Sequence, residues 1–101
     1  MNFDIIKKKY PKAHNVFTKY YKRWLNIHYV YNERLLYDFF DKKGIVIEIG
    51  YTLCDGVGKH YWVIYHNGTF NHSHCLIKSR KVTEKAAFKK AFEILELKTL
   101  C

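Results

Sequence analysis

The apolar positions of this chain follow two different periods, and the change from one to the other falls at Gly44. Before Gly44 they recur every three or four residues. Phe3, Ile6 and Tyr10 share one side of a short first segment that Asn2 can cap and Pro11 ends. Pro11 also suits the first turn of a second helix, where its missing N–H is not needed. From Pro11 to about Asn26, the residues Ala13, Val16, Phe17, Tyr20, Tyr21, Trp24 and Leu25 form an apolar stripe with Lys12, Lys19, Lys22 and Arg23 between them. This is a basic amphipathic helix. Asn32 can cap a third helix that carries Leu35, Leu36, Phe39 and Phe40, and Gly44 closes it after Lys42 and Lys43.

Beyond Gly44 the period is two. Ile45, Ile47, Ile49 and Tyr51 lie on one face of a strand, with Val46, Glu48 and Gly50 on the other. Asp55-Gly56-Val57-Gly58 reads as a loop. Tyr61 to Tyr65 and Thr69 to Ile77 then flank Asn67-Gly68, the dipeptide best suited to a two-residue type I′ hairpin. Thr83 can cap a last helix with Ala87, Phe88, Ala91, Phe92 and Leu95 along its apolar stripe. The expected fold is α+β: one domain over 1–101, helical through 43, an antiparallel three-stranded sheet over 44–78, and a C-terminal helix over 80–99.

A two-residue turn at Asn67-Gly68 pairs His66 with Thr69, Tyr65 with Phe70, Val63 with His72, Tyr61 with His74 and His60 with Cys75. One face then carries Tyr61, Val63, Tyr65, Phe70, His72 and His74, and the other carries His60, Trp62, Ile64, Asn71, Ser73 and Cys75. The aromatic face is expected to form the core, with its histidines near the sheet margin. Were it exposed instead, a Tyr/Phe/His platform beside basic residues could stack unpaired bases.

Charge adds the next constraint. Lys and Arg number 18 against 9 Asp and Glu, a net charge of +9 that favours an acidic partner. No carboxylate occurs between Asp4 and Glu33 or between Asp55 and Glu84. The first gap holds Lys7, Lys8, Lys9, Lys12, Lys19, Lys22 and Arg23; the second holds Lys59, Lys78, Arg80 and Lys81. Arg80, Lys81 and Lys85 open the last helix, where the macrodipole favours acids, so a bound phosphate would relieve a local cost. The plain alternative is a solvated basic face.

The other candidate chemistries are thinner. Cys54, Cys75 and Cys101 lack CxxC spacing, so reduced thiols in a cytoplasmic protein are expected, without a metal or other cofactor. Neither a secretory signal nor a membrane-spanning apolar run is present, which reads as a soluble chain. Gly56-Val57-Gly58-Lys59 fails the phosphate-loop pattern because Leu53 and His60 stand where Gly and Ser or Thr belong. His60 and His74 could act as acid and base in RNA cleavage, although the register sends them to opposite faces. Asp38 and Asp41 lack a third ligand and read as solvent-facing charges.

Helix, three strands, helix is the order of double-stranded RNA-binding domains, and roughly the last 25 residues resemble their terminal helix. Arg80-Lys81 stand at its paired lysines, Ala87 and Ala91 at its small packing positions, and Phe92 at its large one. The chain departs from that family at Glu84, where a phosphate-binding lysine belongs, at Phe88, where an alanine belongs, and in lacking a minor-groove loop. Separately, Tyr10-Pro11-Lys12-Ala13, Tyr37-Asp38-Phe39-Phe40-Asp41, Gly44 to Ile49 and Ala86-Ala87-Phe88 to Leu95 resemble small phage and prophage accessory proteins. That likeness implies a non-enzymatic protein countering host defence, with RNA or a ribonucleoprotein, such as a CRISPR effector, as its partner. The expected contacts are Lys12, Lys19, Lys22, Arg23, Lys59, Lys78, Arg80, Lys81 and Lys85. An inhibitor working through protein contacts alone would instead use Tyr20, Tyr21 or Trp24 as anchors, and a small histidine-dependent ribonuclease is the third reading.

Overall fold

In a computed structural model of the chain, the described residues are 3–25, 33–73 and 76–99, with side chains placed for 4–20, 34–73 and 76–98. Helices α1 (Phe3–Lys9), α2 (Pro11–Leu25) and α3 (Glu33–Lys42) precede strands β1 (Ile45–Cys54), β2 (Val57–His66) and β3 (Thr69–His72), and α4 (Arg80–Thr99) follows. The strands form one antiparallel sheet in the order β1-β2-β3. The fold is α+β, as the switch of period at Gly44 predicts. The caps expected at Asn2 and Asn32 lie outside the described residues.

Both hairpins turn through two residues with positive φ, which is what a type I′ turn requires of the backbone. At Asn67 and Gly68 the angles are 50° and 76°. At Asp55 and Gly56 they are 53° and 77°, so β1 and β2 pair all the way to Cys54 and Val57. The stretch Asp55 to Gly58 is therefore a tight turn and the start of a strand, not a loop. Asp-Gly is as good a I′ dipeptide as Asn-Gly; the strand signal of Val57-Gly58-Lys59 is simply weak, because Gly58 contributes no side chain and Lys59 little β-propensity. In the folded sheet the Tyr51 ring covers Gly58 on one face, and the Tyr61 ring covers Gly50 on the other.

Pairing β1 with β2 decides which face is buried. The register sets Ile47 opposite Ile64, Ile49 opposite Trp62 and Glu48 opposite Val63. Turning Glu48 outward turns Val63, Tyr61 and Tyr65 outward with it, because burying an unpaired carboxylate is prohibitive. The expectation that the aromatic face forms the core is thereby reversed. The core is built from Ile45, Ile47 and Ile64 of the sheet, packed against Ile6, Tyr10, Ala13, Phe17, Leu36, Phe39, Phe40, Ala87, Phe88, Ala91, Phe92 and Leu95. Its centre is aromatic: Phe17 meets Phe39 edge-on at 5.0 Å between centroids, and Phe40 meets Phe92 likewise at 5.0 Å.

The helices are tied together at their ends. Pro11 occupies the first position of α2, and the next amides are satisfied from a distant element: Ala13 N–H donates to Glu96 Oε2 at 2.7 Å and Lys12 N–H to Oε1 at 3.3 Å. One carboxylate from α4 thus both caps α2 and sits at its positive end. Glu96→Ala should cost about 1–3 kcal/mol by stranding the buried Ala13 amide, and Glu96→Gln, which keeps an acceptor, clearly less. Urea midpoints of the two variants check this; equal losses would remove the capping role.

At the start of α4 the cap is Ser79 and not Thr83. Val82 N–H donates to Ser79 Oγ at 3.3 Å, and the Ser79 carbonyl accepts from Thr83 N–H at 3.1 Å and Thr83 Oγ1 at 2.9 Å. The helix begins three residues earlier than Thr83, which is fully buried within it. At the other end of the helical layer, Lys98 Nζ donates to the Lys43 carbonyl at 3.0 Å, beside the C-terminus of α3.

Candidate nucleic-acid interface

Strand β3 ends at His72, four residues after the turn. Ser73 N–H still donates to the Trp62 carbonyl at 3.0 Å, but the next bridge joins His60 to Ile77 and not to Cys75. The register has moved by two residues across 74–75, which lie outside the described residues; with them go the expected pairing of Tyr61 with His74 and the position of His74 against His60. The new register has an electrostatic consequence. With His60 bridged to Ile77, Lys59 and Lys78 are each one residue from the bridge, and Arg80 and Lys81 open α4. His60 Nδ1–H donates to the Lys78 carbonyl at 3.2 Å, and its ring meets Tyr51 edge-on, so the corner is held by backbone and aromatic contacts rather than by opposite charges.

The carboxylate nearest to this corner in sequence is Glu84. Glu84 is partly buried and accepts the Tyr37 hydroxyl at 2.8 Å. Among the described residues, Lys59, Lys78, Arg80, Lys81 and Lys85 have no carboxylate within ion-pair distance. The first turn of α4 holds no acid. Lys81, Lys85 and Lys89 are exposed and spaced four residues apart, so they form one row along the helix. Lys89 is not among the expected contacts, although its spacing from Lys85 places it in the same row. Like charges at this spacing destabilise a helix by roughly 0.2–0.5 kcal/mol per pair. A bound polyanion would offset that cost.

Other basic residues are committed elsewhere. Lys90 pairs with Glu93 at 3.5 Å, Lys98 caps α3, and Lys42 Nζ stands 5.4 Å from the Tyr20 ring centroid. Lys12 and Lys19 are exposed on α2, but Lys12 lies beside Glu96, sixteen residues along α4 from Arg80, a separation of about 24 Å along the helix axis. The nine expected contacts therefore do not make one site: Lys59 and Lys78 flank the His60–Ile77 bridge, Arg80, Lys81 and Lys85 follow along the first turns of α4, and Lys12 sits at the opposite end of that helix. The side chains of Lys22 and Arg23 lie outside the described residues, as do those of Tyr21 and Trp24. Tyr20, the third expected anchor, is half-buried against Phe39 at 5.3 Å.

Across the sheet, Val46, Glu48, Val57, Tyr65, Phe70 and His72 face outward and are exposed, with Phe70 at 63% and Tyr65 at 43%. This surface carries aromatic groups but little charge. Its formal charges are Glu48 and Lys59, and Tyr65 Oη donates to Glu48 at 3.5 Å. The exposed lysines of α4 and the aromatic platform thus belong to different layers of the fold, while Lys59 belongs to the platform side. Among the described residues, no three His, Cys, Asp or Glu side chains gather as a metal site, and no helix is long and apolar enough to cross a membrane.

His14, partly buried on α2, has its pKa lowered, first by burial and then by Lys7, with Asp4 opposing. Protonation therefore favours the unfolded chain. Its contribution to stability is complete above the ordinary histidine range, near 6.5, and is lost as pH falls through that value towards the folded pKa. The urea midpoint should drop between pH 7.5 and pH 5.5, and His14→Gln should shrink the drop; an unchanged drop would mean that other groups cause it.

Comparison with protein-family profiles, curated proteins and solved structures gives no match for this chain.

Proposed function

We propose that this chain binds RNA, free or within a ribonucleoprotein, through the cationic ridge formed by Lys59, Lys78, Arg80, Lys81, Lys85 and Lys89. The observation that supports the reading is the run of these residues from the His60–Ile77 bridge along the first turns of α4, with no carboxylate within ion-pair distance of them among the described residues. Phosphates would take the place of the missing acids, with the first-turn amides of α4 adding a favourable dipole. Binding is expected to be weakly sequence-selective, since a row of lysines reads charge and shape and not base edges.

The biological setting we propose rests on the resemblance to phage and prophage accessory proteins: a non-enzymatic inhibitor of an RNA-guided nuclease, working in the host cytoplasm. Titration of labelled single-stranded and duplex RNA at 50 and 200 mM salt tests the binding. The affinity should fall roughly 10²–10³-fold over that range if about five phosphates are neutralised, and absence of binding at 50 mM ends the proposal. Addition of the protein to a guide-loaded nuclease tests the inhibition.

A further inference from the structure

The structure assigns the uncovered face of the sheet to a second copy of this chain, so that two sheets pack face to face about a two-fold axis. This inference does not rest on the RNA reading, and of the ridge residues Lys59 is shared with this face.

Three observations single out the occupant. The first is apolar content where a monomer should be wet: Phe70 and Tyr65 stand beside each other at 6.4 Å between ring centroids, with Val46, Val57 and Val63 on the same face. All the helices that contribute to the core pack on the other side, through Ile45, Ile47 and Ile64.

The second is charge. In a chain of net charge +9, the strand residues that share this face include one acid, Glu48, and one base, Lys59. A nucleic acid would find almost nothing to neutralise there. A second copy meets a surface that is neutral overall and holds both signs, which is the self-complementarity that an isologous interface needs. Stacking the sheets about 10 Å apart leaves the two helical layers outermost, roughly 30 Å from one another. That exceeds a Debye length of about 8 Å several-fold, so the cations on the two copies of α4 scarcely repel.

The third is size. Strands of ten, ten and four residues cover roughly 400 Å² in projection, before the relief of the side chains is counted. Stable interfaces take about 800 Å² per partner. The face is about half of that in projection, so the dimer should be weak and reversible.

Sedimentation velocity of nuclease-treated protein from 5 to 500 μM tests the inference. A shift from monomer to dimer is expected, with association unchanged or stronger at 0.5 M salt than at 0.1 M, because screening relieves the repulsion between two chains of net charge +9 more than it weakens the contacts of Glu48 and Lys59. The double variant Tyr65→Glu, Phe70→Glu should stay monomeric throughout, with the circular dichroism of the folded chain. Glu48→Lys, an exposed change that makes the face positive, should weaken association at least tenfold at low salt, and serves if the double variant misfolds. A monomer at 500 μM in 0.5 M salt overturns the proposal, as does a dimer that both sets of substitutions leave intact. If RNA binding is lost in the double variant while the parent chain stays monomeric, the face is a base-stacking platform and the inference fails.

Discussion

Replacing Lys59, Lys78, Arg80 and Lys81 together by glutamine should weaken RNA binding about 100-fold near 0.15 M salt and flatten the logarithmic salt dependence by about three units. Both figures come from counterion release: each phosphate neutralised on a single strand contributes roughly 0.7 to the slope, and the same amount times the logarithm of the salt concentration to the affinity. The four residues are exposed or partly exposed and none caps a helix or fills the core, so the variant should fold. Relief of mutual repulsion should leave it as stable as the parent or slightly more so. Lys12→Gln is the internal control, since Lys12 lies at the far end of α4 and should cost at most a few-fold. If that single change weakened binding as much as the four together, the ridge would not be the site. A parallel loss of affinity without a change of slope would point to a conformational effect instead of lost phosphate contacts.

The second large effect concerns stability. Phe92→Ala should destabilise the chain by about 3–5 kcal/mol, against a total of roughly 5–15 kcal/mol for a chain of this size. Phe92 is fully buried and lies edge-on to Phe17 at 6.0 Å and to Phe40 at 5.0 Å. It therefore joins α4 to both α2 and α3, and no single neighbour can collapse into the space it leaves. Phe92→Leu, which retains most of the volume, should cost clearly less. Equilibrium urea unfolding measures both, with an unchanged m-value expected if two-state behaviour holds. A loss under 1 kcal/mol for Phe92→Ala would show that the aromatic centre is dispensable.

These two predictions differ in how far they could have been made without coordinates. The burial of Phe92 follows from its place in the stripe of Ala87, Phe88, Ala91 and Leu95, because a helix reports its apolar face within any two turns. The membership of the cationic site did not follow. Arg80, Lys81 and Lys85 are neighbours in sequence, but Lys59 joins them only because a two-residue shift after His72 puts Ile77 against His60. Lys12 looked equivalent to them on charge alone and proves to be at the other end of the helix.

What the chain determines locally is substantial. The change of period at Gly44, the helix restart at Pro11 and the positive-φ turn at Asn67-Gly68 all depend on residues within about four positions of one another, and each appears as read. The tertiary structure decided the rest: which sheet face is covered, which residue caps α4, and where the Glu84 carboxylate points. Alternation says that a strand has two faces without saying which is inside, and that choice was made when the tight turn at Asp55-Gly56 set Glu48 beside Val63. The physical reason is common to all three. A long-range register assigns the partners of a side chain, and burial and unmatched charge, not local propensity, select the register.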